Sequence, residues 1–367
     1  MAKKLKKEKK QRKARVVESK DAPQDADSKE HKGKLSDPDW MNDIDIKALS
    51  KKYKGSRIAM GDDPSLVIQK MPFGVPMLDA LLNGGIPVGK MTLIYGEYSV
   101  GKTFLTMKLI SMAQKAGKSI FYIDVDKSYE PNWWQTVGID IASLPVIQPS
   151  DGDEAFDMTL DLLEQKAGLV VLDSLDLLVP RNLAVANMDE NPIGAQARLV
   201  AEGLRRAKRM NNDSALVCMN HVREGIGKYA QMRIPGGRAQ EDFSNLMMWV
   251  ARGPIIKENE IVQGGDEKKR VGFKMRVTLE KDKISGKRYE SCEIPFLFKG
   301  GEIDELSWYI DTALNKGVIR KTGAWYDVGE HRVCGILGVK DLLNNDEELR
   351  EAIISDVTTK NDKEEIY

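Results

Sequence analysis

Apolar positions along this chain change period several times, and each change marks an element. The run Met91 to Tyr95 has the length and composition of a buried parallel strand, and after it Leu105, Leu109, Ile110 and Met112 recur at helical spacing. Ser119 to Val125, Pro145 to Gln148, Leu169 to Leu172 and Ala215 to Asn220 predict further strands, with helices near 103–116, 131–137, 153–166 and 195–211. Such alternation from Leu66 onward demands an α/β fold, a mostly parallel sheet flanked by helices. Leu246 to Val250, Phe273 to Glu280 and Tyr289 to Pro295 then follow one another without helices, so the far edge of the sheet is expected to be antiparallel.

Both ends of the chain depart from this pattern. Ile46, Leu49 and Tyr53 predict a short helix ended by Gly55, and Ile58 to Met60 an isolated strand. This segment, 43–65, has so little apolar surface that it needs something to pack on, and a neighbouring subunit would serve. The core is expected over 66–301. Leu306, Tyr309, Ile310 and Leu314 place a helix in a small α/β appendage, 302–355. Residues 1–42 offer almost nothing to bury and are expected to be disordered, and 356–367 form an acidic tail.

A length of 367 residues with 41% hydrophobic composition suits a core domain with appendages. With 56 basic and 56 acidic residues, net charge gives no hint of nucleic acid, but its distribution does, since residues 1–20 carry ten Lys or Arg. That start reads as a solubilising tail or as an arm that captures DNA phosphates. Cys218, Cys292 and Cys334 lie far apart, and three histidines give no metal-binding pattern, so a reduced cytoplasmic setting without structural zinc is expected. No apolar stretch reaches membrane-spanning length, and the first residues lack the apolar core of a signal peptide.

Between the first strand and helix stands G-x-x-x-x-G-K-T, Gly96-Glu97-Tyr98-Ser99-Val100-Gly101-Lys102-Thr103. Its glycines let successive N–H groups point inward at a helix N-terminus, an anion cradle. Lys102 would reach the β and γ phosphates of a nucleotide, and the Thr103 hydroxyl would bind Mg²⁺. Leu169-Val170-Val171-Leu172-Asp173 is an apolar strand ending in an acid, placed to hold the same ion. Ile120 to Asp126 is a second strand ending in acids, from which a water-activating carboxylate could come; composition does not choose between Asp124 and Asp126.

Taken together, Gly85-Ile86-Pro87-Val88-Gly89-Lys90 leading into the phosphate loop, Tyr122 to Asp126, Leu172-Asp173-Ser174, Asn220-His221-Val222-Arg223, Pro235-Gly236-Gly237 and Gly323-Ala324-Trp325-Tyr326 resemble the RecA-type recombinases, in order and spacing. The resemblance covers about 46–340, and the Asn-His pair resembles the phage UvsX-like branch. It implies that Gly96 to Phe104, with Glu130, Trp133 and Asp173, hold ATP, and that Thr103 and Asp173 hold Mg²⁺. Asp126 falls at the catalytic carboxylate, usually Glu, Trp133 at the aromatic that stacks on adenine, and His221 at the γ-phosphate sensor. Lys281 and Lys283 match two lysines supplied across the subunit boundary to a neighbour's ATP.

Two segments resemble the family's DNA-facing loops. The first, near 181–194, contains Ile193 and Gly194 and leads into Arg198, Arg205 and Arg206. In the second, near 223–238, stand Arg223, Ile226, Gly227, Lys228, Arg233, Gly236, Gly237 and Arg238, with Tyr229 its single aromatic, so contact through phosphates is expected. One departure is the acidic Glu241-Asp242, where bacterial members often place a basic residue.

The resemblance implies an ATP-dependent recombinase that forms a helical filament on single-stranded DNA and pairs it with a homologous duplex. It also allows a single-strand-binding protein and a loader as partners, in a bacterial or phage-infected cytoplasm. Two other readings stay open. A ring-forming hexameric helicase shares the ATPase core but usually brings a larger N-terminal domain. A nucleotide-dependent switch without DNA binding would not need the basic, glycine-rich segment at 223–238.

Overall fold

The structure is a computed structural model that describes residues 45–54, 58–184, 194–224, 232–262 and 265–359. Its first element, α1 (Ile46–Lys52), is capped by Asp45, whose carboxylate accepts the Ala48 N–H at 2.9 Å. The strand expected at Ile58 to Met60 is absent; these residues are irregular. A strand needs a ladder to satisfy its backbone groups, and the described chain gives this one no partner.

From Val67 on, nine strands form one central sheet among the described residues. They are β1 (Met91–Gly96), β2 (Ile120–Asp124), β3 (Val146–Ile147), β4 (Leu169–Asp173), β5 (Ala215–His221), β6 (Leu246–Val262), β7 (Gly265–Asp282), β8 (Ser291–Leu297) and β9 (Glu302–Ile303). Their spatial order is β9-β8-β7-β6-β1-β5-β4-β2-β3. The run from β6 to β3 is parallel, and β7, β8 and β9 close the other edge antiparallel.

The parallel strands are apolar on both sides because both sides are covered. Ile94, Leu169 and Val171 face one core, which includes Phe104, Leu105 and Leu109 of α2 (Lys102–Lys115), followed in the chain by α3 (Pro131–Thr136). Leu93, Val170 and Leu172 face the other, beneath α4 (Gly152–Glu164) and α5 (Ala195–Met210). These two helices approach so closely that a Cβ on Gly203 would sit 2.3 Å from the Phe156 ring. A short helix, α6 (Ala239–Phe243), precedes β6.

Two expected boundaries move. β6 and β7 run on as a ribbon to Val262 and Gly265, well past the expected ends at Val250 and Phe273, with register shifts near Arg252 and Ile256. The extension is rich in Lys and Glu, so hydropathy hides it. At the C-terminus, α7 (Glu305–Asn315), β10 (Arg320–Thr322), β11 (Trp325–Val328), β12 (His331–Cys334), α8 (Gly335–Asn345) and α9 (Glu347–Thr359) enclose a core of their own around Ile310, Tyr326, Val328 and Leu343. Helix α9 carries Val357 into that core, so order passes the expected limit at 355 into the first part of the acidic tail. Among the described residues no helix is long and apolar enough to cross a membrane.

Candidate active site

The phosphate loop leaves β1 at Gly96 and enters α2 at Lys102. Two backbone demands fix its sequence. Gly96 lies so close to β6 that a Cβ would be 2.0 Å from the Val250 carbonyl, and Gly101 adopts φ +101° with Met275 Sδ where a Cβ would go. Ser99 also takes a left-handed φ of 55°, and the Arg252 guanidinium braces it by donating to its carbonyl at 2.6 Å. The N–H groups of Tyr98, Ser99, Val100 and Gly101 donate to no acceptor among the described residues. Lys102 is buried, and its ammonium donates to the carbonyls of Gly96 at 3.1 Å and Glu97 at 2.7 Å. Burial pushes its pKa down to about 8, against the pull of Asp173, Asp176 and Glu97, so it keeps its charge at neutral pH. Free N–H groups around a buried cation suit a phosphate chain.

Asp173 ends β4, buried, and accepts the Tyr122 hydroxyl at 2.7 Å. Burial pushes its carboxyl up to about 6, although the Tyr122 hydrogen bond works the other way. No group of three His, Cys, Asp or Glu gathers as a metal site among the described residues. The Thr103 hydroxyl and the Asp173 carboxylate are hard oxygen donors, the chemistry that Mg²⁺ takes together with phosphate oxygens.

The two acids after β2 have different surroundings. Asp124 is buried and accepts the N–H groups of Ser128 and Tyr129, each at 3.1 Å, and the Gln148 amide at 2.9 Å. It builds the turn. Asp126 is exposed and accepts no hydrogen bond among the described residues. Farther on, Glu130 caps α3 with both oxygens, accepting the Trp133 N–H at 2.8 Å and the Asn132 amide at 2.9 Å. Trp134 is the aromatic that enters the core, edge-on to Tyr122, while Trp133 remains 37% exposed. Gly301 lies against it: a Cβ there would be 2.6 Å from the Trp133 ring and 3.4 Å from Phe104. An indole face beside a glycine turn can take a flat ring.

At the end of β5, paired with Gly96, stands His221. The Tyr98 ring stacks on its imidazole, centroids 4.2 Å apart and planes within 13°. Asn220, buried beside it, donates to the Pro235 carbonyl at 3.0 Å and to Gln240 at 2.5 Å, and Gln240 in turn bonds the carbonyls of Pro235 and Gly237. The turn at Gly236 and Gly237, both at positive φ, is thus tied to the strand that carries His221. Arg223 and Arg233 face each other across a two-residue ladder at the base of the second basic segment. Ile226, Gly227, Lys228 and Tyr229 lie outside the described residues, as does Ile193 of the first segment. Gly194 opens α5 in a left-handed conformation, and Arg198 is exposed on that helix. Arg205 is paired with Glu202, and Arg206 lies 4.0 Å from Asp157.

Lys283 stands toward the other end of the sheet, and Lys281, paired with Met247, is level with Leu93 in the middle of β1. Lys283 N–H donates to Asn245, whose own N–H donates to Met91, so Lys283 is level with the start of β1. The phosphate loop leaves from its finish, five residue steps or roughly 17 Å away. Lys281 lines an open cleft of about 990 Å³ with Arg233, Arg238, Arg288 and the acids Glu241 and Asp242, and its ammonium meets the Glu241 carbonyl. Burial and then the charges of Lys283 and Lys208 lower its pKa. Neither lysine joins the site its own chain builds around Lys102.

Asp176 went unnoticed in the sequence, although an acid inside Leu175-Asp176-Leu177-Leu178, three residues after Asp173, is a charge in an apolar run. It is buried, with one oxygen 3.2 Å from His221 Nδ1.

The RecA N-terminal domain family matches residues 41–302. Protein RecA of Aquifex pyrophilus is 33% identical over 298 residues, 79% of this chain and 83% of that protein. Protein RecA of Thermus aquaticus is 32% identical over 327 residues, 87% of this chain and 93% of its own.

Proposed function

The chain belongs to the RecA family, and on that premise we propose how its site works. It is an ATP-binding, DNA-dependent ATPase and a DNA recombinase that forms filaments on single-stranded DNA and exchanges strands. Our reading is that the phosphates of ATP take the free N–H groups of residues 98–101 and draw the Lys102 ammonium from the Gly96 and Glu97 carbonyls. Trp133 stacks on the adenine, in a position set by Glu130. Thr103 and Asp173 would hold Mg²⁺, which when bound neutralises charge on the phosphate oxygens.

Water activation falls to Asp126, because the oxygens of Asp124 are already engaged in the turn. His221 meets the γ-phosphate beside Tyr98. The second basic segment, entered through Arg223 and closed by Gly236, Gly237 and Arg238, takes DNA phosphates with help from Gly194 and Arg198. Arg205, although paired with Glu202, belongs to the same exposed helix face.

One observation carries this reading: Lys283 stands at the opposite end of the sheet from the loop that fits phosphates, and Lys281 lines a separate cleft with Arg238 and Arg288. Lys281 and Lys283 then serve a neighbour's ATP, and copies join head to tail in an open helix. α1 and the segment after it supply part of that joint. The Asn220-His221 pair further supports a place near the phage UvsX-like branch; a wider sequence comparison that groups the chain with Gln-bearing bacterial proteins instead would overturn that.

Negative-stain microscopy with single-stranded DNA and a slowly hydrolysed ATP analogue tests the whole. Continuous helical filaments that lengthen with the DNA are expected. Closed rings would replace the recombinase by a helicase, and particles indifferent to DNA would leave a nucleotide switch.

A further inference from the structure

His221 is held on two sides. Tyr98 covers a face of the ring, and Asp176 Oδ1 lies 3.2 Å from Nδ1. The same carboxylate oxygen accepts the Ser174 hydroxyl at 2.7 Å. The other, Oδ2, is buried and accepts no hydrogen bond, yet it lies 3.6 Å from a guanidinium nitrogen of Arg223. Burial would raise the Asp176 pKa, but the hydrogen bonds from His221 and Ser174 prevail and hold it below the ordinary carboxylate range.

A fully buried carboxylate side chain therefore stands between the His221 imidazole and the Arg223 guanidinium, which have different duties. One is at the nucleotide; the other, 59% exposed, is at the base of the DNA segment. Arg223 is free to turn outward, whereas Asp176 is fixed in the turn Leu175–Leu177 and needs a partner wherever Arg223 goes.

We propose that Asp176 is a positioning residue that couples DNA to hydrolysis: without DNA it is shared by Arg223 and His221, and once a DNA phosphate draws Arg223 away it serves His221 alone. This rests on the reading of His221 as the residue that meets the γ-phosphate. The groups around the ring are Asp176, Arg223, the Tyr98 phenol and, farther off, the charge of Asp173. Among the described residues Nε2 has no partner. With Arg223 gone, Asp176 holds the ring through Nδ1 alone, and together with the stacked Tyr98 it orients Nε2 toward the nucleotide. Such coupling is reciprocal: ATP at His221 weakens the hold of Asp176 on Arg223 and releases it to DNA.

Steady-state ATP hydrolysis by the full chain, with and without single-stranded DNA, tests this. Asp176→Asn is expected to lower the DNA-stimulated kcat about tenfold while KM for ATP moves less than about twofold. In a His221→Gln background the same substitution should change kcat less than about twofold, because its effect passes through the imidazole. Arg223→Gln, at an exposed position that carries little folding risk, should raise DNA-free hydrolysis about threefold or more, since Asp176 then has no competitor for His221.

Equal losses from Asp176→Asn in both backgrounds would reduce the residue to a prop for its turn. An unchanged DNA-free rate in Arg223→Gln would also overturn the proposal. A wild-type chain whose hydrolysis ignores DNA would sink the recombinase reading instead, and the DNA-free Arg223→Gln measurement would still decide this one.

Discussion

The two ends of the central sheet differ in kind. Where β1 finishes, unbonded N–H groups, a buried ammonium and a buried carboxylate surround a space for phosphates. Toward the start of β1, burial and then the charges of Lys283, Lys208 and Arg288 lower the proton affinity of Lys281. One end wants an anion and holds most of the machinery for it; the other has cations in excess of the acids around them. On the reading proposed above, each copy carries two incomplete halves of a site, one at each of these places.

Mixing tests that comparison most severely. Lys102→Ala should lose at least about a thousandfold in hydrolysis while staying folded by circular dichroism, and Lys281→Ala should lose about a hundredfold. Mixed in equal amounts on single-stranded DNA, the two should recover about a quarter of wild-type turnover, because random neighbours pair an intact loop with intact lysines that often. A mixture as inert as its components would place both halves in one chain.

Substitutions confined to one end sharpen it further. Trp133→Ala should raise KM for ATP roughly tenfold and leave kcat nearly unchanged, as expected of uniform binding to the base. A loss in kcat alone would move Trp133 from adenine to the joint between copies.

The smallest expected effect is on stability. Asp173, pushed up to about 6, is harder to ionise in the folded chain than in the unfolded one. Its charge is therefore a cost that is absent below the ordinary carboxylate range and complete above about pH 6, on the order of 2–3 kcal/mol. Asp173→Asn should raise Tm by roughly a few degrees at pH 7.5, with the gap closing toward pH 4. A gap that does not depend on pH would mean that the charge is not its source.

The phosphate loop was legible in the sequence because consecutive residues, Gly96 to Thr103, build it. The sheet was legible because short continuous apolar runs alternate so regularly with stretches of period 3.6. What sequence could not show depends on partners far along the chain. Asp176 and His221 are 45 positions apart, and only the adjacency of β4 and β5 brings them together. Asp124 and Asp126 differ by what reaches them, Gln148 and two N–H groups, and no local pattern contains that. Ile58 to Met60 reads as a strand by composition, yet pairing decides strands, and no ladder forms there among the described residues. The long ribbon of β6 and β7 fails the hydropathy test for the opposite reason: backbone pairing carries it through a stretch rich in Lys and Glu.

Placing Lys283 level with Met91 while the loop departs at Gly96 has a consequence for any finite row of copies. Joined this way, a row holds one fewer finished ATPase than it has members, and the idle one always sits at the same terminus. Short rows would then be proportionally slower than long ones, and the two tips would age differently, one able to convert its nucleotide and the other waiting for a newcomer. Growth and loss would then acquire a direction, set by which side of a single sheet a lysine happens to occupy.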